Sequence, residues 1–272
     1  KSLNRKSNKK KCKVHGNSKF EKNTLKFQVT NDFFNFHWRE FFNVKSPNIK
    51  KNNAYEFFSF FLKKIKSEKA ICIDIGCGDG VHLQILSKFS KNLSLIGLDV
   101  SKYALDKCIK LDLKKSFYLL TNSENIPIKE SSIDFSYSFG TLPYVNDYKK
   151  SIKEMIRITK KNGFIAIWSI EDKLSNFFLK NIRFFFMKLS YSMRIKICNL
   201  FVPFLFFVPT KSKVNLYNSS WNECKEVLMV NLASDKLNFI KKNEIIKIFK
   251  KNNCKIIFDD FSNPITIWAK KN

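Results

Sequence analysis

The stretch Asp74-Ile75-Gly76-Cys77-Gly78-Asp79-Gly80 has the residue types and spacing to bind a small charged ligand. Alternating glycines let a backbone turn sharply and come close to a ligand, and a helix starting just beyond would offer free N–H groups. Asp99, in Leu98-Asp99-Val100-Ser101 at the end of the next apolar run, is placed to accept both hydroxyls of a ribose. A dinucleotide fold uses the same two devices. Spacing separates the cases, because the pattern is Gly-x-Gly-x-Gly and not Gly-x-Gly-x-x-Gly. The carboxylate of Asp74 would disfavour a pyrophosphate, whereas it suits a ligand with a cationic centre and an amino group.

Positioning these residues requires strands that end beside one another. From residue 70 onward, short β-rich apolar runs (70–75, 93–100, 116–121, 133–139 and 163–170) alternate with helical stretches at 81–89, 102–110 and 148–159. Such alternation predicts βα units and a largely parallel sheet. In the third helical stretch Ile152, Met155, Ile156 and Thr159 share one face. A helix over 241–252 and two closing runs at 254–260 and 265–270 follow, with Asn263 and Pro264 turning the last strand back. Glu154 and Arg157 read as a surface pair on a helix, and Lys160-Lys161-Asn162-Gly163 as a helix stop.

The glycine motif is similar to the first motif of class I S-adenosylmethionine-dependent methyltransferases. The resemblance continues through Ser123-Glu124-Asn125-Ile126-Pro127-Ile128, Ser132-Ile133-Asp134-Phe135, Glu154-Met155-Ile156-Arg157-Ile158 and Lys161-Asn162-Gly163, in the order seen in the type 11 branch. It spans roughly residues 70 to 171. What it implies is a Rossmann-like, doubly wound α/β fold with a mostly parallel seven-stranded sheet in the order 3-2-1-4-5-7-6, strand 7 antiparallel, and S-adenosyl-L-methionine as cofactor. The implied cofactor-binding residues are Asp74, Gly76, Cys77, Gly78, Gly80, Asp99, Val100, Asn122, Ser123, Glu124 and Phe139. In that family the acidic residue before the Ser-Glu pair contacts the adenine amino group; Asn122 stands there, and its amide oxygen can still accept one hydrogen bond.

Asn31-Asp32-Phe33-Phe34-Asn35-Phe36-His37-Trp38 resembles the aromatic segment that some members place over the cofactor, so Phe34 and Trp38 are expected to close the pocket. Acceptor-side candidates are Tyr144, His37 and Asp147, although His37 also reads as a surface residue without catalytic duty. His82 is expected to face solvent or the cofactor loop. Gly140-Thr141-Leu142-Pro143-Tyr144 invites comparison with the Asn-Leu-Pro-Tyr motif of adenine-amino methyltransferases. Thr141 has no amide to hold that amino group, which favours a small-molecule pocket lined by Tyr144.

Composition constrains the partners. The chain has 272 residues, a formal charge of +27 and 44% hydrophobic residues, enough to bury a sizeable core and unlike a disordered chain. Of its basic residues only Arg5, Arg39, Arg157, Arg183 and Arg194 are arginine; the rest are lysine. Phosphate and base-edge recognition favour the planar arginine fork, so a specific nucleic-acid surface is disfavoured, while attraction to anionic lipid remains reasonable. An odd number of scattered cysteines (Cys12, Cys72, Cys77, Cys108, Cys198, Cys224 and Cys254) reads as free thiols in a reducing cytoplasm.

Residues 1–30, rich in Lys, Asn and Ser and without an apolar leader core, read as a mobile arm, and 31–272 as the methyltransferase domain. Cys12 and His15 make half of a zinc-site spacing, and no metal site is expected from them. Residues 172–240 break the βα alternation and read as a helical insertion or lid. Its first half, 174–209, is dense in Phe, Leu and Ile with interspersed basic residues, which predicts one or two amphipathic helices and a peripheral membrane contact as the sharper alternative to a lid. It is too short and interrupted for the ~20 apolar residues of a membrane span. The function expected is methyl transfer to a lipophilic small-molecule acceptor entering beneath the insertion. Its rivals are methylation of RNA or protein and a non-catalytic scaffold.

Overall fold

The computed structural model describes residues 33–35, 37–39, 57, 58, 61, 69–169, 177–205, 221–260 and 265–272. Strands β1 (Ile71–Ile75), β2 (Ser94–Asp99), β3 (Ser116–Leu120) and β4 (Ile133–Phe139) alternate with helices α1 (Val81–Phe89) and α2 (Lys102–Lys110). Helix α3 (Tyr148–Ile158) and strand β5 (Thr159–Ser169) follow. Then come helices α4 (Phe177–Phe186), α5 (Tyr191–Leu205) and α6 (Trp221–Leu228), which runs into a π-helical turn, Met229–Ala233. Helix α7 (Lys242–Lys251) and strands β6 (Cys254–Asp260) and β7 (Ile265–Lys271) close the chain.

The strands form one seven-stranded sheet in the order β3-β2-β1-β4-β5-β7-β6. The pairs from β3 to β5 are parallel, and β7 runs antiparallel to both β5 and β6. The order reverses between β1 and β4, and a crevice opens at the carboxyl ends of strands at such a switch point.

Alternation along the strands sends side chains to two cores. On one face Cys72, Phe135, Tyr137 and Trp268 pack with Leu83 and Leu86 of α1 and Leu105 of α2. On the other, Ile73, Ile75, Ile165 and Ile267 meet Ile152 and Met155 of α3 and Ile245 and Phe249 of α7. A third core joins the insertion to the N-terminal aromatic segment: Phe33 packs with Phe186, Cys198, Val202, Cys224 and Met229.

Two local readings are corrected. Glu154 and Arg157 are more than a surface pair. The guanidinium donates to Glu154 Oε1 (2.7 Å) and to the carbonyls of Ile126 and Ile128 (2.8 and 2.9 Å), while Glu154 accepts from the Ile126 N–H (2.8 Å). Together they clamp the 126–128 loop onto α3. The helix stop falls at Ile158, but Lys160 to Gly163 belong to β5, whose pairing with β4 shifts register between Ile133 and Phe135. Asn162 takes φ +63° within that irregularity, a conformation Asn tolerates better than most residues.

Cys72, Cys77, Cys108, Cys198, Cys224 and Cys254 are buried free thiols. Among the described residues no helix is long and apolar enough to cross a membrane, and no group of three or more His, Cys, Asp and Glu is placed to hold a metal ion. Residues 1–30, with Cys12 and His15, and the turn at 263–264 lie outside the described residues.

Candidate functional site

The loop from β1 to α1 is built by the glycines. Gly76, Gly78 and Gly80 all have φ between +54° and +79°, which side-chain-bearing residues resist. All three are also crowded. A Cβ on Gly76 would lie 2.1 Å from Thr141 Oγ1, and one on Gly78 would lie 2.6 Å from Cζ2 of Trp38. Thr141 holds the loop by donating to the Gly76 carbonyl (3.2 Å). Trp38 therefore lies directly on the loop, with Lys107 Nζ 5.4 Å from its ring.

Asp99 sits at the carboxyl end of β2 and organises the same loop. Its Oδ2 accepts from the Gly78 N–H and its Oδ1 from the Ser101 N–H, both at 2.9 Å. Each carboxylate oxygen keeps a lone pair for a further donor. Burial pushes its carboxyl up to about 6, against the pull of the backbone N–H groups of Ser101, Gly78 and Val100. Ser101 caps α2, and its hydroxyl also donates to Asn35, which ties the aromatic segment to the site.

Asp74 is fully buried in β1, between Gly97 of β2 and Tyr137 of β4. Its carboxylate lies beside the Tyr137 hydroxyl, and His82 Nδ1 stands 3.8 Å from Oδ2. Burial holds the Asp74 carboxyl well above the usual range; the Tyr137 hydroxyl opposes this, and the charges of Asp99 and Asp79 add to it. His82 is buried, its ring 4.4 Å from Phe139, which stacks on Trp168 at 4.4 Å. A solvent-facing His82 is thereby corrected: apolar packing from Phe58 and Phe139 draws it inward.

These residues fit S-adenosylmethionine. Asp74 is a buried carboxylate, the complement of an ammonium group, and Asp99 retains acceptor capacity for a diol. A pH dependence follows. With a folded-state carboxyl near 6 and an ordinary value near 4, Asp99 in the ligand-free chain takes up a proton as pH falls through about 6. A ligand requiring the carboxylate must displace that proton, so affinity is expected to fall by up to about tenfold per pH unit below about 6. Asp74, whose carboxyl burial raises as well, should add to the proton release on binding. Calorimetry in buffers of different ionisation enthalpy would read this release; an affinity unchanged down to acid pH would remove both carboxylates from the binding step.

The other site residues divide. The Cys77 Sγ is buried 3.7 Å from the Cys108 Sγ, and burial raises its thiol well above the ordinary value, so it serves as loop packing. Asn122 uses its amide oxygen to accept from the N–H groups of Glu124 and Asn125, each at 3.0 Å. The adjacent side chains turn toward α3: Ser123 Oγ meets Ser151 Oγ at 2.7 Å, and Glu124 accepts from the Asp147 N–H at 3.0 Å. Asp147 caps α3, accepting from the N–H groups of Lys149 and Lys150 at 2.9 and 3.0 Å.

Tyr144 and His37 come together in one aromatic cluster. Phe34 stands edge-on to Tyr144 (5.8 Å), and His37 lies between Phe33 (6.0 Å) and Trp38 (5.4 Å). His37 is buried, with Nε2 3.8 Å from Glu226 Oε1 of α6, so its reading as a surface residue is corrected. Burial holds the Tyr144 hydroxyl protonated. Glu226 and Arg183 were not singled out by sequence reasoning, and Thr141 was weighed only against an adenine-holding role, because no local motif marks contacts made across the fold.

The comparisons agree with this geometry. The methyltransferase domain model of type 11 matches residues 73–167. The tRNA (carboxymethyluridine(34)-5-O)-methyltransferase of Arabidopsis thaliana is 30% identical over 42% of this chain and 27% of its own. The malonyl-[acyl-carrier protein] O-methyltransferase of Buchnera aphidicola is 31% identical over 41% of this chain and 44% of its own. The chain thus spans less than half the length of either relative. In fold it is similar to the plantazolicin methyltransferase BpumL, solved with a triazolic desmethylPZN analog and SAH: TM-score 0.54, 14% identity, 91% of this chain and 98% of that one. Sheet order and family match agree: residues 73–167 of this chain match the type 11 methyltransferase domain, on a sheet of the order that the resemblance implied.

Proposed function

We propose that this chain transfers a methyl group from S-adenosylmethionine to a lipophilic small molecule held beneath the insertion. The observation that carries the acceptor class is the third core. It joins Phe33 to α4, α5 and α6, and through Phe34 it meets Tyr144 beside the glycine loop. An apolar roof of this kind suits an acceptor whose body is apolar and whose nucleophilic end points at the loop. The two relatives' names point to a tRNA and to a malonyl-[acyl-carrier protein], so resemblance alone does not choose between acceptors.

In this reading Asp74 faces the cofactor's ammonium, Asp99 accepts from the ribose hydroxyls, and Trp38 covers the loop. The bound cofactor supplies a methyl group already activated by the positive charge on sulfur. Placing the acceptor at near-attack distance contributes up to ~7 to 11 kcal/mol. His37, backed by the Glu226 carboxylate, is the group to take a proton from a hydroxyl or amine acceptor. Tyr144 stays protonated and can donate a hydrogen bond. Asp147, engaged as a helix cap, has no place in this scheme.

The test is transfer of radiolabelled methyl from the cofactor into cell extract separated into lipid, polar metabolite, RNA and protein fractions. Label in the lipid fraction, reduced at least tenfold by His37→Ala with cofactor affinity intact, is the expected result. Label in RNA or protein would transfer the assignment to those acceptors. Cofactor binding without label in any fraction would favour the scaffold.

A further inference from the structure

Helices α4 and α5 separate their side chains by face in a way the fold does not require. Between residues 177 and 205 there is no Asp or Glu, while Lys180, Arg183, Lys188, Arg194 and Lys196 all carry positive charge. The arginines turn inward. Arg183 donates to the carbonyls of Asn231 (2.6 Å) and Ser234 (2.8 Å), and Arg194 pairs with Asp235 at 2.7 Å. Phe186, Cys198 and Val202 fill the third core.

What remains outside is large and apolar. Phe184 is 61% exposed, Phe185 65% and Leu200 68%, and Ile182 and Met193 are exposed as well. The lysines stand among them: Lys188 Nζ lies 4.5 Å from the Phe184 ring and 5.8 Å from the Phe185 ring, and Lys196 is exposed on α5. Exposed phenylalanines of this number are costly on a surface that serves only solvent.

We infer that the outward side of α4 and α5 docks on an anionic lipid bilayer. Charge decides the occupant. A surface with lysines and no carboxylate repels a second copy of itself, whereas anionic headgroups attract it, at ~1 kcal/mol per lysine near the membrane surface. Phenylalanine and leucine side chains entering the acyl boundary add the burial that headgroup attraction alone lacks. Arginine, the residue suited to reading nucleic-acid phosphates, faces the protein interior here. Arg183 also lies close enough to Tyr144 to bias its hydroxyl, so α4 has one side toward the acceptor cluster and the other toward the bilayer. The inference stands apart from methyl transfer, because vesicle binding needs neither cofactor nor acceptor.

Flotation with vesicles of phosphatidylcholine alone, and of phosphatidylcholine mixed equally with phosphatidylglycerol, tests it. The full chain is expected to float with the anionic vesicles and not with the neutral ones. Phe184→Ser/Phe185→Ser, which leaves the net charge of the chain unchanged, is expected to reduce partition at least tenfold while circular dichroism and cofactor binding stay as in the wild type. Lys188→Glu should reduce it as well. Full partition by the double serine variant would assign the attraction to net charge alone and overturn the inference. So would failure of the wild type to float with anionic vesicles, or a concentration-dependent dimer that the serine variant dissolves.

Discussion

Gly78→Arg is expected to abolish detectable binding of S-adenosylmethionine and S-adenosylhomocysteine in a calorimetric titration, a loss of at least about 1000-fold. The cause is local and twofold. Gly78 has φ +54°, which strains any L side chain, and its Cβ position lies 2.6 Å from Trp38 Cζ2 and 2.9 Å from Cη2. An arginine must displace the indole and bring a positive charge to a loop that would hold a sulfonium. Gly78→Ala separates strain from charge. Its single methyl should weaken binding only about tenfold, in keeping with ~1 kcal/mol of backbone strain and a shifted indole. Wild-type affinity in the arginine variant would exclude the glycine loop as the cofactor site.

Asp99→Ala should rank next, with binding weakened by about 100- to 1000-fold. The carboxylate does two jobs at once, receiving the Gly78 and Ser101 N–H groups at 2.9 Å and offering its remaining lone pairs outward. Hydrogen bonds to a charged group contribute ~1.5 to 3 kcal/mol each, so losing a diol contact and the order of the loop together reaches that range. Asp99→Asn is the informative companion. Its oxygen can accept one of the two backbone donors but its NH2 cannot accept the other, so affinity should fall between wild type and alanine, and the decline below pH 6 should flatten. If alanine binds as tightly as wild type in a chain that melts at the same temperature, the ribose assignment to Asp99 is wrong.

The sheet was legible in the sequence because each strand and helix in it carries its own local signal. The runs at 133–139 and 254–260 and the helices at 81–89 and 102–110 stand in the structure with the same limits, and the strand order implied by the resemblance is the one observed. Hydrophobic period and glycine punctuation act over a few residues, and both survive folding unchanged. Asp74 and Asp99 were legible for the same reason, since each follows an apolar run whose end fixes its place at the sheet's carboxyl edge.

Contacts between distant segments had no such signal. His37 looked like a surface residue because no local pattern marks a contact across the fold; Phe33 and Trp38 of its own segment flank it, and Glu226, brought across from the insertion, meets it. The insertion announced two helices by composition, but which of its basic residues point inward depended on the carbonyls at Asn231 and Ser234 and on Asp235. Arginine satisfies several buried acceptors at once and lysine does not, so the arginines went in and left Lys188 beside the exposed Phe184 and Phe185. The sequence by itself determined the sheet, the glycine loop and its two carboxylates, because those follow from short-range pattern. Tertiary structure decided what covers the loop, which side chains of α4 are exposed and which histidine meets a carboxylate, because those follow from packing between segments far apart in the chain.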